Sequence, residues 1–380
     1  MPQIRIPAVF MRGGTSKALV FHRRDLPEDP AQWPALMRAA MGSPDPNGRQ
    51  LNGMGGGISS LSKICVIGPP SRPDADIDYS FFQIGVTDDT VDTSGNCGNM
   101  SSAMGPFALD EGLLPAPEGD TAVVRIHNTN TRKIIVSRFA VENGRAAVAG
   151  DFELDGVAGT GAPVRLEFLD PGGAGTGRLL PTGRSLDRLE VPGLGAVDAS
   201  MIDAANPCVF VAGSAIGRRG DEMPGTLDGD AEARRALEAI RCAAGIAMGI
   251  APDAERAARI PSIPKVAMVS APVDYTTLSG RHIGADEYDI GVRMISIGQP
   301  HRAVPLTGGL CLGVAVRLAG SLPASLARAA TGPIRIGHPS GILQVDAEIG
   351  TESDGSPRAL HGAVYRTARR LFEGNVLIPG

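Results

Sequence analysis

Apolar and polar residues alternate through much of the first half of the chain, at 3–11, 18–21, 77–86, 122–127 and 134–141, and each run reads as a β-strand. An Asn143-Gly144 pair between the apolar runs at 139–141 and 146–148 predicts a two-residue hairpin turn. Two stretches, 33–41 and 100–111, read as helices, the second a run of small apolar residues. Turns rather than helices join most of the strands. This half is therefore expected to be an antiparallel sheet curled around one central helix, not a doubly wound parallel sheet.

The second half repeats the plan. Strands are expected at 189–191, 196–202, 209–212, 266–270 and 292–297. Asp230 is placed to cap a helix running to about Met248, with Leu237, Ile240 and Ile246 on its apolar side. A glycine-bearing turn at 305–311 then opens an apolar helix at 312–318, echoing the element at 100–111. One such turn in each half suggests two pseudo-equivalent domains facing each other across a cleft. The sequence PGGAGTGRLLPTG at 171–183 has linker composition, which divides the chain into 1–183 and 184–380. Residues 172–177 followed by Arg178 come close to a phosphate-binding P-loop. Arginine stands there for the lysine, leucine for the Ser/Thr, and no buried strand precedes it, so an interdomain loop is the reading adopted.

Composition narrows the function classes. A chain of 380 residues exceeds what one core usually serves, and 43% hydrophobic content with 50 glycines describes a globular protein. Lysine and arginine are scattered and the net charge is −5, which argues against a nucleic-acid partner. The amino terminus lacks an apolar segment of signal-peptide length and no later run reaches a membrane span, so a soluble, cytoplasmic protein is expected. Cys65, Cys97, Cys208, Cys242 and Cys311 are odd in number and lack CxxC spacing, which suits reduced thiols. The six histidines are equally dispersed, and no metal site is expected.

Chemistry concentrates in a few segments. In DTSGNCGNM at 92–100, Cys97 stands at a helix start, between Asn96 and the unpaired N–H groups of Gly98, Asn99 and Met100. Such a position favours negative charge, whether thiolate, carboxylate or developing enolate. In LNGMGGGISSLSKI at 51–64, a glycine cluster offers amides to oxygen anions, and Ser62 leads into Lys63 at the edge of an apolar strand. Partial desolvation there favours the neutral amine that a proton abstraction needs. In MRGGTSK at 11–17, Arg12, Ser16 and Lys17 bring cations and a hydroxyl to a glycine turn, suited to a carboxylate ligand. Asn206, His301, Thr307 and Gly308 supply polar groups at strand ends and at the second turn. With GxSxG absent, Lys63 and Cys97 form the strongest pair. A base and an acid among carboxylate-binding amides equip a site for proton abstraction beside a carboxyl group, without a cofactor.

Several ordered motifs carry a resemblance: MRGGTSK at 11–17, MGSPD at 41–45, the run from GMGGG to Lys63, DADIDYSFFQIGV at 74–86, SGNCGNM at 94–100, IGHPSG at 336–341 and RTARRLFEG at 366–374. Together they resemble the PrpF family of cofactor-independent isomerases, whose members include 2-methylaconitate and 3-methylitaconate isomerases and 4-oxalomesaconate tautomerase. The resemblance implies a diaminopimelate epimerase-like α+β fold, with two similar domains each wrapping a mainly antiparallel sheet around a central helix. It implies Lys63 as the base, with Cys97 close by. Epimerases of this fold use two cysteines, the first in a CGN sequence like Cys97-Gly98-Asn99, but the second would fall near Pro305 and is missing. The expectation is a 1,3-allylic proton shift on an unsaturated di- or tricarboxylate such as methylitaconate, methylaconitate, aconitate or oxalomesaconate. An amino-acid epimerase or racemase, and a non-enzymatic polycarboxylate-binding protein, are the alternatives. The expected partner is that small acid, and a homodimer is the assembly considered.

Overall fold

The computed structural model describes residues 3–93, 96–296, 298–328 and 332–379. It contains two compact units, Met1–Glu167 with Tyr365–Gly380, and Phe168–Val364. In the first, β1 (Ile4–Gly13) and β2 (Ser16–His22) form an antiparallel hairpin with Gly13 opposite Ser16. β2 runs parallel to β3 (Lys63–Gly68), and β3 antiparallel to β4 (Ile77–Ile84). β4 runs parallel to β5 (Thr121–Asn128), which pairs antiparallel with β6 (Lys133–Glu142). The Asn143-Gly144 turn closes β6 as expected: Glu142 pairs with Arg145, and the two turn residues take φ of 51° and 76°. The chain's last strand, Pro357–Ile378, lies antiparallel to β1, with Gly13 opposite Ala368.

Two helices complete this unit. α1 (Trp33–Met41) buries Trp33, Met37, Ala40 and Met41 in one cluster with Leu19, Phe21, Ile64 and Phe82. α2 (Gly98–Asp110) is buried at every position from Met100 to Leu109. A helix of small apolar residues all round can only be satisfied inside. It touches β1, β2, β3, β5 and β6, so the sheet does curl around a central helix.

The second unit repeats the strand plan. β7 (Gly195–Asp203) is antiparallel to β8 (Pro207–Ala212), β8 parallel to β9 (Lys265–Ser270), and β9 antiparallel to β10 (Ile290–Ser296). This is the order of β1 to β4. α3 (Ala231–Ala247) is capped by Asp230, whose carboxylate accepts the Ala233 N–H at 2.9 Å. Leu237 and Ile240 are buried, whereas Ile246, expected on the same side, is 39% exposed near the helix end. α4 (Leu306–Arg317) is buried from Gly308 to Ala315. Of residues 305–311, expected to form a turn, 306–311 belong to the helix instead. A side chain on Gly308 would meet Met294 Sδ at 2.5 Å, so packing rather than loop geometry requires the glycine.

The glycine-rich stretch at 171–183 lies inside the second unit, whose boundary falls between Glu167 and Phe168. That stretch folds onto the end of β7. Its anchor is the Asp203 carboxylate, which accepts the Gly175 N–H at 2.8 Å, the Thr176 N–H at 2.7 Å and the Thr176 hydroxyl at 2.9 Å.

Candidate active site

Lys63 is the first residue of β3 and is buried, with its ammonium 5.1 Å from the centre of the Phe81 ring. The amine donates to Gln83 Oε1, directly across the β3–β4 ladder. Gln83 is held in turn by its own Nε2, which donates to Ser62 O at 2.9 Å and Ser59 O at 3.0 Å. Among the described residues no carboxylate forms an ion pair with Lys63. Its polar partner is a neutral amide oxygen.

Cys97 is the N-cap of α2, half-buried, with no capping hydrogen bond from its side chain. Its carbonyl accepts both the Ser101 N–H at 2.9 Å and the Ser101 hydroxyl at 3.1 Å. The helical ladder thus begins at Ser101, leaving the N–H groups of Gly98, Asn99 and Met100 without acceptors inside the helix. Asn96 Oδ1 accepts the same hydroxyl at 3.1 Å, which ties it to the helix start. Ser94 and Gly95, part of the expected turn, lie outside the described residues. Cys65, two residues after Lys63 on β3, is buried, and burial pushes its thiol far up.

The segment 51–57 corrects an expectation. Its glycine amides are not free for an anion: the N–H groups of Gly53, Met54, Gly55 and Gly56 donate to Gln50 O, Ala40 O, Met41 O and Leu61 O. Gly57 N–H donates to Gln50 Oε1 at 3.0 Å. Gln50, fully buried, also donates to Ser43 Oγ and Ser62 Oγ, each at 2.7 Å. Ser62 passes its own proton to Ile84 O at 3.0 Å. Its hydroxyl therefore braces the loop before Lys63 and does not face a ligand.

The turn between β1 and β2 packs on the start of α2. Arg12 donates from Nη1 to Gly14 O at 2.9 Å and Thr367 O at 3.0 Å, joining the turn to the last strand. Burial, then the neighbouring Arg369, lowers the pKa of its guanidinium. Ser16 is buried opposite Gly13, and the Lys17 ammonium lies 5.6 Å from the Phe10 ring centre. Asn99 reaches the turn, its Nδ2 donating to Thr15 Oγ1 at 3.1 Å.

The second unit gathers its own polar set. Asn206 donates to Pro207 O at 2.9 Å. His301 accepts the Ala303 N–H on Nδ1 at 3.0 Å, so its neutral form carries the proton on Nε2. Burial, with nearby Lys265, lowers the His301 pKa, which favours the neutral ring. An NMR pH titration is expected to find its midpoint below that of an exposed histidine; a midpoint at or above it contradicts this placement. The N-cap of α4 is Pro305, so no thiol stands where Cys97 stands on α2. Cys311 lies inside α4, fully buried, donating to Ile202 O at 3.3 Å.

Sequence reasoning passed over three groups. Gln83 was hidden because only the β3–β4 register sets it against Lys63. Lys265 opens β9 as Lys63 opens β3, and its Cδ lies 3.8 Å from where a Gly308 side chain would begin. The repeated strand order could have found it. Arg366 is 7% exposed and donates from Nε to Asn99 Oδ1 at 3.1 Å, beside Cys97. It lay within a quoted motif, but nothing local marks it as buried.

This architecture defines a class, the epimerase-like α+β proteins. The crystal structure of a probable proline racemase from Agrobacterium radiobacter, 12% identical, matches with a TM-score of 0.51 over 97% of this chain and 92% of its own. Within that class the chain belongs to the PrpF family, whose sequence model, described as PrpF protein, matches residues 3–379. The 2-methyl-aconitate isomerase of Cupriavidus necator is 42% identical over 397 aligned residues, covering 100% of this chain and 98% of that protein. A crystal structure of methylitaconate-delta-isomerase, 39% identical, matches with a TM-score of 0.91 over 100% of this chain and 96% of its own. Among the described residues no helix is long and apolar enough to cross a membrane, and no three His, Cys, Asp or Glu side chains form a metal-binding group.

Proposed function

We propose that this PrpF-family isomerase catalyses a cofactor-independent 1,3-allylic proton shift on an unsaturated di- or tricarboxylate of the methylaconitate or methylitaconate type. The observation that carries this reading is that α2, which Cys97 caps, packs on β3, the strand that Lys63 opens with its amine held by Gln83 Oε1. A lysine held by an amide oxygen and a thiol at a helix start of the same unit would supply a base and an acid.

In the reaction, neutral Lys63 removes a proton from the allylic carbon. The electron pair spreads through the double bond into the adjacent carboxylate, giving a dienolate. Its charge develops before the N–H groups of Gly98, Asn99 and Met100, preorganised donors of the kind that supply most of the stabilisation in such sites. A proton then returns at the remote carbon. If the Lys63 ammonium delivers it, the cycle closes at once; if the Cys97 thiol does, the ammonium reprotonates the thiolate. A two-thiol epimerisation has no second thiol at Pro305.

Screening cis-aconitate, 2-methylaconitate, methylitaconate and oxalomesaconate by ultraviolet absorbance tests the reading directly. Turnover of at least one supports it, and inertness toward all four with turnover of a chiral amino acid replaces it. Cys97→Ser is expected to slow turnover less than loss of Lys63, because the ammonium can return the proton alone. Steady-state kinetics check this, and an equal loss makes the thiol an obligatory acid.

A further inference from the structure

Arg366 is the most deeply placed cation near α2 that the mechanism above leaves unused. Its guanidinium donates from Nε to Asn99 Oδ1 at 3.1 Å and from Nη1 to Tyr365 O at 2.8 Å. Nη2 makes no hydrogen bond among the described residues, and none of their carboxylates forms an ion pair with it. The side chain is 7% exposed. No Arg366 atom is among the sealed polar atoms that lack a partner, so the open Nη2 reaches solvent, where an incoming anion can meet it.

The surrounding backbone holds the group in place. Gly14 N–H donates to Thr367 O at 2.9 Å, and a side chain on Gly14 would meet Asn99 Oδ1 at 2.3 Å and Arg366 Cδ at 3.1 Å. The β1–β2 turn therefore closes over the arginine, while Asn99 bridges from Arg366 to Thr15. Burial holds the guanidinium pKa down to about 10, and the charge of Cys97 works against that shift. Arg366 thus reaches the Asn99 amide in the first turn of α2, two residues from Cys97.

We propose that Arg366 is a binding and positioning residue of this site, fixing the Asn99 amide at the start of α2 and pairing with a carboxylate of the bound acid beside Cys97. This rests on the reading of the site as one for polycarboxylates, but its test does not depend on turnover. The free protein is alkylated with iodoacetamide, and modification of Cys97 is followed by peptide mass spectrometry with increasing tricarballylate, a saturated tricarboxylate that cannot isomerise. The parent protein is expected to be protected. Arg366→Gln should need at least about 10-fold more tricarballylate for equal protection, the scale of a lost hydrogen bond to a charged group. Arg366→Lys, which keeps the charge but not the planar fork, should fall between them.

Equal protection of parent and both variants overturns the proposal, as does absence of protection in the parent. If Arg366→Gln does not fold, Arg366→Lys carries the comparison alone, and unchanged protection in it is contrary. Inertness of the parent toward every unsaturated acid would sink the isomerase reading while leaving this protection assay intact.

Discussion

Lys63→Ala is expected to lower turnover by at least about 100-fold, the lower end of what a positioned general base contributes. Among the described residues, the polar groups around the amine cannot replace it. Gln83 offers a neutral amide, Cys65 is a fully buried thiol whose pKa burial raises far above neutrality, and Ser62 is spent on Ile84. The fold should survive, because what is lost is one hydrogen bond and a ring contact while β3 keeps its ladders to β2 and β4. Steady-state kinetics together with a melting curve check the claim. Near-normal turnover in a folded variant removes Lys63 from the mechanism.

Gly13→Ala is expected to have the second large effect, on structure and catalysis together. A methyl there would stand 2.6 Å from Asn99 O and 3.0 Å from Met100 Cα, both in the backbone of the first turn of α2. Neither atom can swing aside as a side-chain tip could. Either the β1–β2 hairpin or the helix start must shift, and overpacking of this kind costs about 1–3 kcal/mol. The same shift moves Cys97 and the open N–H groups relative to Lys63, and a misplacement near 1 Å can lower turnover about 100-fold. Urea unfolding and kinetics on the same sample measure both. Values equal to the parent protein in both would show that α2 is not seated against the hairpin as described.

Features set by nearby residues were legible in the sequence. The helix at 33–41, the Asn143-Gly144 hairpin and Cys97 at the start of a central helix each follow from a few adjacent side chains, and the structure has all three. What escaped depends on partners distant in the chain. Thr307, Gly308 and Gly309 read as a turn because glycine disfavours helix, yet close packing on Met294 and Leu343 overrides that preference. The stretch at 171–183 reads as a linker until Asp203 is seen accepting its amides. The amides of 53–57 look available until the buried Gln50 side chain and the end of α1 are placed beside them. Arg366 becomes part of the site only because the last strand returns to pair with β1, more than 350 residues away in sequence. The proposed pair is therefore visible as residue types, while Gln83 and Arg366, which hold Lys63 and Asn99, are not.

In the proposed mechanism the free amine of Lys63 removes the allylic proton. Chemical rescue tests it most directly: turnover of Lys63→Ala is measured with increasing methylamine at several pH values. The account predicts that activity returns in proportion to the unprotonated amine and saturates as the vacated space fills. A folded variant that stays inactive at all amine concentrations, or whose rate follows total amine regardless of pH, would contradict it.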